Sequence, residues 1–195
     1  MFVDLVGSTE LSRRLDPEDL RDVIRGYQNV VAGEVVRYEG HVAKFMGDGV
    51  LVYFGYPTAH EDDAERAVRA GLAVRQAVRG IETSGAKALS VRIGIATGRV
   101  VIGDLIGEGA SQEEAVTDDT PNLAARLQEL ATPHAVIVSA GTRELLGAFF
   151  DLEDLGAHSL KGFGEPIHAW SLSGEQAVAT RFEAVHGRRL TQLVG

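Results

Sequence analysis

The chain has 195 residues, 45% of them hydrophobic, which is enough for one globular domain with a proper core. A formal charge of −9 excludes the clustered Lys and Arg that nucleic-acid binders and polybasic membrane anchors depend on, so an anionic ligand must be met by a few placed cations. Zero cysteines exclude disulfides and thiolate zinc sites. With neither a signal peptide nor an apolar run of about 18 residues, a soluble, cytoplasmic location is expected.

The chain opens Met1-Phe2-Val3-Asp4-Leu5-Val6-Gly7-Ser8-Thr9, a short apolar strand interrupted by one acid and followed by a small-residue loop that leads towards a helix. An acid inside a buried strand is costly unless it meets a cation. Asp16-Pro17-Glu18-Asp19 has an N-cap residue, a proline at the first helical position and acids in the first turn. Leu20, Val23, Ile24, Tyr27, Val30, Val31, Val35 and Tyr38 then recur at helical spacing up to Gly40, which can close the helix.

Val42 to Phe54 reads as two strands about a Gly47-Asp48-Gly49 turn, whose glycines permit the positive φ angles of a tight hairpin. This places Asp48 at an exposed tip, with Lys44 on the incoming strand. Taken alone, the pair is equally an ordinary turn acid beside an ordinary strand lysine. Together with Asp4, however, Asp48 would make a hard-oxygen site for Mg²⁺, and the Gly7-Ser8-Thr9 loop would offer backbone N–H groups to phosphates.

His60-Glu61-Asp62-Asp63 admits a metal cluster, but acids crowded into a first helical turn explain it more simply. That helix runs through Ala67, Val68, Gly71, Leu72 and Val78 to Gly80, and a polar loop follows from Ile81 to Ala86. Leu89 to Ala96 and Val100 to Ile106 read as strands joined at Thr97-Gly98-Arg99. Arg92, on the first of them, is either a solvated strand arginine or a phosphate contact. Gly107 to Glu114 is an exposed loop.

Thr120-Pro121 starts a helix in which Asn122 and Arg126, at i and i+4, project from one face and suit a ribose and a phosphate as well as plain solvent. Val136 to Ser139 is a strand, Ser139 caps a short helix to Gly147, and Phe149 to Leu155 is a strand. His158 to Gly164 is a turn bearing Lys161, and Ile167 to Leu172 is the last strand. The expected fold is α+β, a ferredoxin-like β-α-β-β-α-β core with one helical layer on a mainly antiparallel sheet. Acid-bearing central strands of this kind also resemble the palm of polymerases and diguanylate cyclases. Residues 1–173 form the expected domain and 174–195 a linker. No Gly-x-x-x-x-Gly-Lys-Ser/Thr string is present, so P-loop chemistry is excluded.

Three separated motifs carry a specific resemblance: Asp-Leu-Val-Gly-Ser-Thr from Asp4, Lys-Phe-Met-Gly-Asp-Gly from Lys44, and Pro-Asn-Leu-Ala-Ala-Arg from Pro121. In this order and spacing they resemble the catalytic domain of class III adenylate/guanylate cyclases, from Phe2 to about Trp170. The resemblance implies adenylate cyclase activity, converting ATP to cyclic AMP and pyrophosphate at sites shared by a head-to-tail homodimer. It further implies that Asp4 and Asp48 hold two Mg²⁺ ions, with Mn²⁺ able to substitute, and that the Leu5 backbone completes one shell. Val6, Gly7, Ser8 and Thr9 would hold the β- and γ-phosphates. The partner chain would bring Lys44 to adenine, Asn122 to the ribose and Arg126 to the α-phosphate, while Lys161 and Arg92 match contacts to the triphosphate tail. Two departures stand out. Ala115 replaces a residue that hydrogen-bonds adenine in many members, and Asp118 replaces a usual glycine. The retained Asp4, Asp48, Asn122 and Arg126 favour the enzyme, whereas these two departures keep open an alternative, a catalytically weak nucleotide-sensing module. The segment Leu190 to Gly195 is similar to the lead into an ATPase module of bacterial cyclase fusions, so a fused ATPase or regulatory domain is an expected partner.

Overall fold

A computed structural model describes residues 1–81, 88–100 and 119–176. Along the chain run β1 (Phe2–Leu5), α1 (Ser8–Arg14), α2 (Pro17–Arg37), β2 (His41–Met46), β3 (Gly49–Tyr53) and α3 (Asp63–Arg79), followed by β4 (Val91–Ile95), α4 (Thr120–Leu130), β5 (Val136–Ser139), α5 (Ala140–Leu145), β6 (Phe150–His158) and β7 (Ile167–Glu175). All but the first residue of the expected strand Val100 to Ile106, the Gly107 to Glu114 loop, Ala115, Asp118, most of the Ile81 to Ala86 loop and the tail from residue 177 lie outside the described residues.

Strand order among the described residues is β2-β3-β1-β4-β5-β7-β6. The first four strands, with α2 and α3, form the expected β-α-β-β-α-β core, with β1 antiparallel to both β3 and β4. Among the described strands, β4 and β5 form the one parallel pair.

Side chains alternate across the sheet, and that alternation divides the molecule into layers. On one face Val3, Leu5, Val50, Val52, Val91, Ile93 and Ile95 pack with Tyr27, Val31 and Val35 of α2 and with Val68, Val74 and Val78 of α3. The sequence reading expected a single helical layer, but α4 covers the opposite face over a second core of Leu127, Ala131, Ile137, Leu160 and Ala169. A parallel β4–β5 pair needs a crossover, and α4 supplies it on the face that α2 and α3 leave open. Gly94 makes the close approach possible, because a Cβ there would lie 2.0 Å from Ala124 O and 2.6 Å from Gln128 N.

Local signals hold where the chemistry is local. Asp16 caps α2 by accepting from the N–H groups of Glu18 and Asp19. At the other end the left-handed residue is Glu39, at φ 60°, and not Gly40. Gly40 is needed for room instead, since a Cβ there would meet the Phe54 ring at 2.7 Å. Likewise only Gly47 of the hairpin turn has positive φ. Gly49 lies in β3, and a Cβ on it would sit 3.0 Å from the Phe2 ring. The helix after β1 begins sooner than expected, so Ser8 and Thr9 belong to the first turn of α1. β6 extends to His158. No described helix is long and apolar enough to cross a membrane.

Candidate active site

Asp4 has Gly49 of β3 and Arg92 of β4 as Cα neighbours, which puts its carboxylate on the α4 face of the sheet. Arg92 Nη2 donates to Asp4 Oδ2 at 2.6 Å, and Gln128 Nε2 of α4 donates to the same oxygen at 3.1 Å. The side chains keep 19% exposure for Asp4 and 34% for Arg92, so the pair is neither on open surface nor sealed. Burial pushes the Asp4 carboxyl above its ordinary value. The Arg92 hydrogen bond opposes that rise, and the charge of Asp48 adds to it. Two carboxylates that feel each other, with oxygen the only donor type, leave a deficit of positive charge that Arg92 offsets only in part. Such a donor set fits Mg²⁺ or Mn²⁺.

Asp48 follows Gly47 in the β2–β3 turn and is half-buried, not at an exposed tip. Because β3 pairs with β1 from Gly49 onward, the turn is drawn in beside Asp4. Gln28 of α2 ties it down by donating to Gly47 O at 3.0 Å. Tyr27, one residue earlier, is fully buried, and its hydroxyl has no hydrogen-bond partner among the described residues. Burial raises its pKa, and the charges of Asp4 and Asp48 raise it further.

The face that Lys44 presents depends on an irregularity. Val42 pairs with Val52, yet Lys44 pairs with Leu51, so one extra residue, Ala43, is accommodated between them. Without that bulge Lys44 would fall opposite Val50 and point into the core. With it, Lys44 shares the face of Leu51, Phe2 and Asp4, and it is exposed there.

Leu5 ends β1 with its side chain in the core, so only its backbone can meet a ligand. Val6 N–H already donates to Ser90 O at 2.8 Å. Gly7 takes φ 75°, a conformation that glycine adopts without strain, and turns the chain into α1, whose first N–H groups have no acceptor within the helix.

The remaining predicted groups stand apart. Asn122 is exposed on α4, and Arg126 is paired with Glu129 one turn on. Lys161 is exposed in the turn between β6 and β7, with β4, β5 and β7 between that edge and β1. Among the described residues, no hydrogen bond or ion pair joins Asn122, Arg126 or Lys161 to Asp4 or Asp48. The His60 segment is structural, as its first-turn reading expected. Asp63 Oδ2 accepts from His60 N–H at 2.8 Å, and Glu39 binds both His60 and Arg66, which joins the end of α2 to the start of α3.

The family model for the adenylate and guanylate cyclase catalytic domain matches residues 1–174. The chain belongs to this family. The structure of the adenylyl cyclase CyaB from P. aeruginosa is 30% identical and superposes with a TM-score of 0.78, covering 90% of this chain and 93% of that one. The guanylyl cyclase Cya2 is 32% identical at a TM-score of 0.81, covering 92% of each chain. An uncharacterized protein of Rhizobium meliloti (strain 1021) is 34% identical over 182 residues, which are 93% of this chain and 18% of that protein. The chain therefore spans only a small part of that curated relative. The chain is thus a class III nucleotide cyclase domain by family, and relatives of nearly equal identity include one adenylyl cyclase and one guanylyl cyclase.

Gln128 escaped sequence reasoning, although a signal was present. It is the one polar residue in the apolar stripe Ala124, Leu127, Gln128, Ala131 of α4. The Ala43 bulge had no such signal.

Proposed function

We propose that this domain is an adenylate cyclase that converts ATP to 3′,5′-cyclic AMP and pyrophosphate at two equivalent sites shared by a head-to-tail homodimer. The observation that carries this reading is the half-buried Asp4 with Asp48 in the turn beside it, to which no described hydrogen bond or ion pair joins Lys44, Asn122, Arg126 or Lys161 of the same chain. A second copy of the chain, related by a two-fold axis, would supply those groups.

Divalent cations bound by Asp4 and Asp48, with the Leu5 backbone, would acidify the ribose 3′-hydroxyl and neutralise charge on the departing pyrophosphate. In the reaction the 3′-oxygen bonds to the α-phosphorus, the bond from that phosphorus to the bridging oxygen of pyrophosphate breaks, and the hydroxyl proton passes to solvent. Arg126 stabilises charge on the phosphoryl group in transfer, and such a placed donor contributes about 3 kcal/mol. Asn122 holds the ribose so that its 3′-oxygen stays in line. Gly7, Ser8 and Thr9 turn N–H groups to the β- and γ-phosphates at the start of α1. Lys161 and Arg92 serve the triphosphate tail, Arg92 through guanidinium donors that its Nη2 bond to Asp4 leaves free. Lys44, a donor only, suits the N1 acceptor of adenine and offers guanine's N1–H and N2–H₂ no acceptor.

Incubating the purified chain with ATP or GTP and Mg²⁺ or Mn²⁺, and resolving the products, tests this reading. Cyclic AMP with pyrophosphate, in excess over cyclic GMP, is expected. Cyclic GMP as the main product overturns the purine assignment, and tight nucleotide binding without turnover would point to a sensing module.

A further inference from the structure

α4 carries one amide into its buried face. Gln128 is 5% exposed and stands beside Ala124, Leu127 and Ala131, where an apolar side chain would satisfy packing. Its place is fixed from below, because α4 backbone rests directly on Gly94 of β4. From there its Nε2 donates to Oδ2 of Asp4, the oxygen that Arg92 also holds. No hydrogen bond involves Oδ1 of Asp4 among the described residues. The carboxylate is thus clamped through one oxygen by a guanidinium and an amide, and its other oxygen is left for a ligand.

We propose that Gln128 is a positioning residue for the divalent-cation site: with Arg92 it fixes the rotation of the Asp4 carboxylate so that Oδ1 faces the ion. This rests on the cation reading given above and assigns a task to a residue on a helix otherwise concerned with Asn122 and Arg126. The clamp has a reason in the chemistry. Arg92 alone reaches Oδ2 from one strand over, and a monodentate contact leaves the carboxylate free to rotate about χ2. A second donor from α4, on the other side of the sheet plane from the core, removes that freedom and lowers the ordering cost of cation binding. It also ties Asp4 to α4, so that under the shared-site reading the carboxylate of one site and the Asn122/Arg126 helix of the other are mechanically joined within one chain.

The test is Mn²⁺ binding followed by the electron-spin signal of free Mn²⁺, with 3′-deoxy-ATP present because it cannot cyclise. Gln128→Met keeps length and helix propensity but removes the donor, and Gln128→Asn keeps an amide that falls short of Asp4. Each is expected to weaken Mn²⁺ binding roughly 10- to 100-fold, in line with the loss of an outer partner of a metal ligand. Each should also leave the KM for ATP at saturating Mn²⁺ within about twofold, as expected for a residue that acts through Asp4 and not on the nucleotide. On an Asp4→Asn background the same changes should cause no further loss, because the residue acts through Asp4. Unchanged Mn²⁺ affinity in a folded variant with a lowered melting temperature overturns the proposal and makes Gln128 a packing residue. Additive losses on the Asp4→Asn background overturn it too. A wild-type chain that takes up no Mn²⁺ would remove the cation reading itself, and the proposal with it.

Discussion

Replacing Gly94 by alanine strikes the contact that sets the height of α4 above the sheet. The added methyl would lie 2.0 Å from Ala124 O, 2.6 Å from Gln128 N and 3.1 Å from Ala124 C. All three are helix backbone atoms, so no side chain can swing aside and α4 must lift as a body. Restoring even a tight 3.0 Å contact to Ala124 O needs about 1 Å of movement, since 3.0 − 2.0 = 1.0. Overpacking of this kind costs about 1–3 kcal/mol. In a domain of this size that lowers Tm by roughly 2–12 °C. The same lift stretches the 3.1 Å Gln128–Asp4 bond past hydrogen-bonding range and moves Asn122 and Arg126 with the helix. Misplacing such groups by about 1 Å costs on the order of 100-fold in rate. Circular-dichroism melts and initial rates of cyclic AMP formation at saturating ATP and Mn²⁺ measure the two effects side by side. A Gly94→Ala protein with wild-type melting and wild-type rate would refute the placement of α4, and with it the geometry built on that helix.

Asp48→Ala should abolish cyclisation and leave the far-ultraviolet spectrum and melting curve close to wild type, because a half-buried turn carboxylate contributes a ligand and little packing; full activity with Mg²⁺ would remove Asp48 from the site. The pH dependence of stability carries a second signature. Burial raises the Asp4 carboxyl, so the folded chain holds that proton more tightly than the unfolded chain. Its contribution to stability is therefore present below the ordinary aspartate value and is lost as pH rises through the raised folded value. Without divalent metal, Asp4→Asn should gain in Tm relative to wild type as pH climbs through that window, and a pH-independent difference between the two would contradict the raised value.

Features encoded within a few residues were legible in the sequence, and features made by strand register were not. The Asp16 cap, the proline at the start of α2, the Ser139 cap of α5 and the hairpin around Asp48 each depend on neighbours in the chain, and each is found where expected. Glycines misled where their cause was spatial. Gly40 read as a helix stop and Gly49 as a turn residue, but they are small because Phe54 and Phe2 occupy the space a Cβ would need. The Asp4–Arg92 bond joins residues 88 positions apart, and it exists because β4 lies beside β1 with that register. The Ala43 bulge that turns Lys44 to the Asp4 face depends on how β2 meets β3, which the alternation of apolar residues does not encode. The motifs therefore named candidate groups, and the sheet decided which of them meet within one chain.

Complementation between two inactive variants tests the shared cyclase site most directly. Asp48→Ala breaks the carboxylate half of both sites in a homodimer, and Arg126→Ala breaks the other half of both. In a mixed dimer one site receives both lesions and its twin receives neither. With random exchange, about half the dimers are mixed and each holds one intact site, so cyclic AMP formation should recover to roughly a quarter of the wild-type rate. A mixture as inactive as its parents, after subunit exchange has been demonstrated, would contradict the division of Asp48 and Arg126 between two chains.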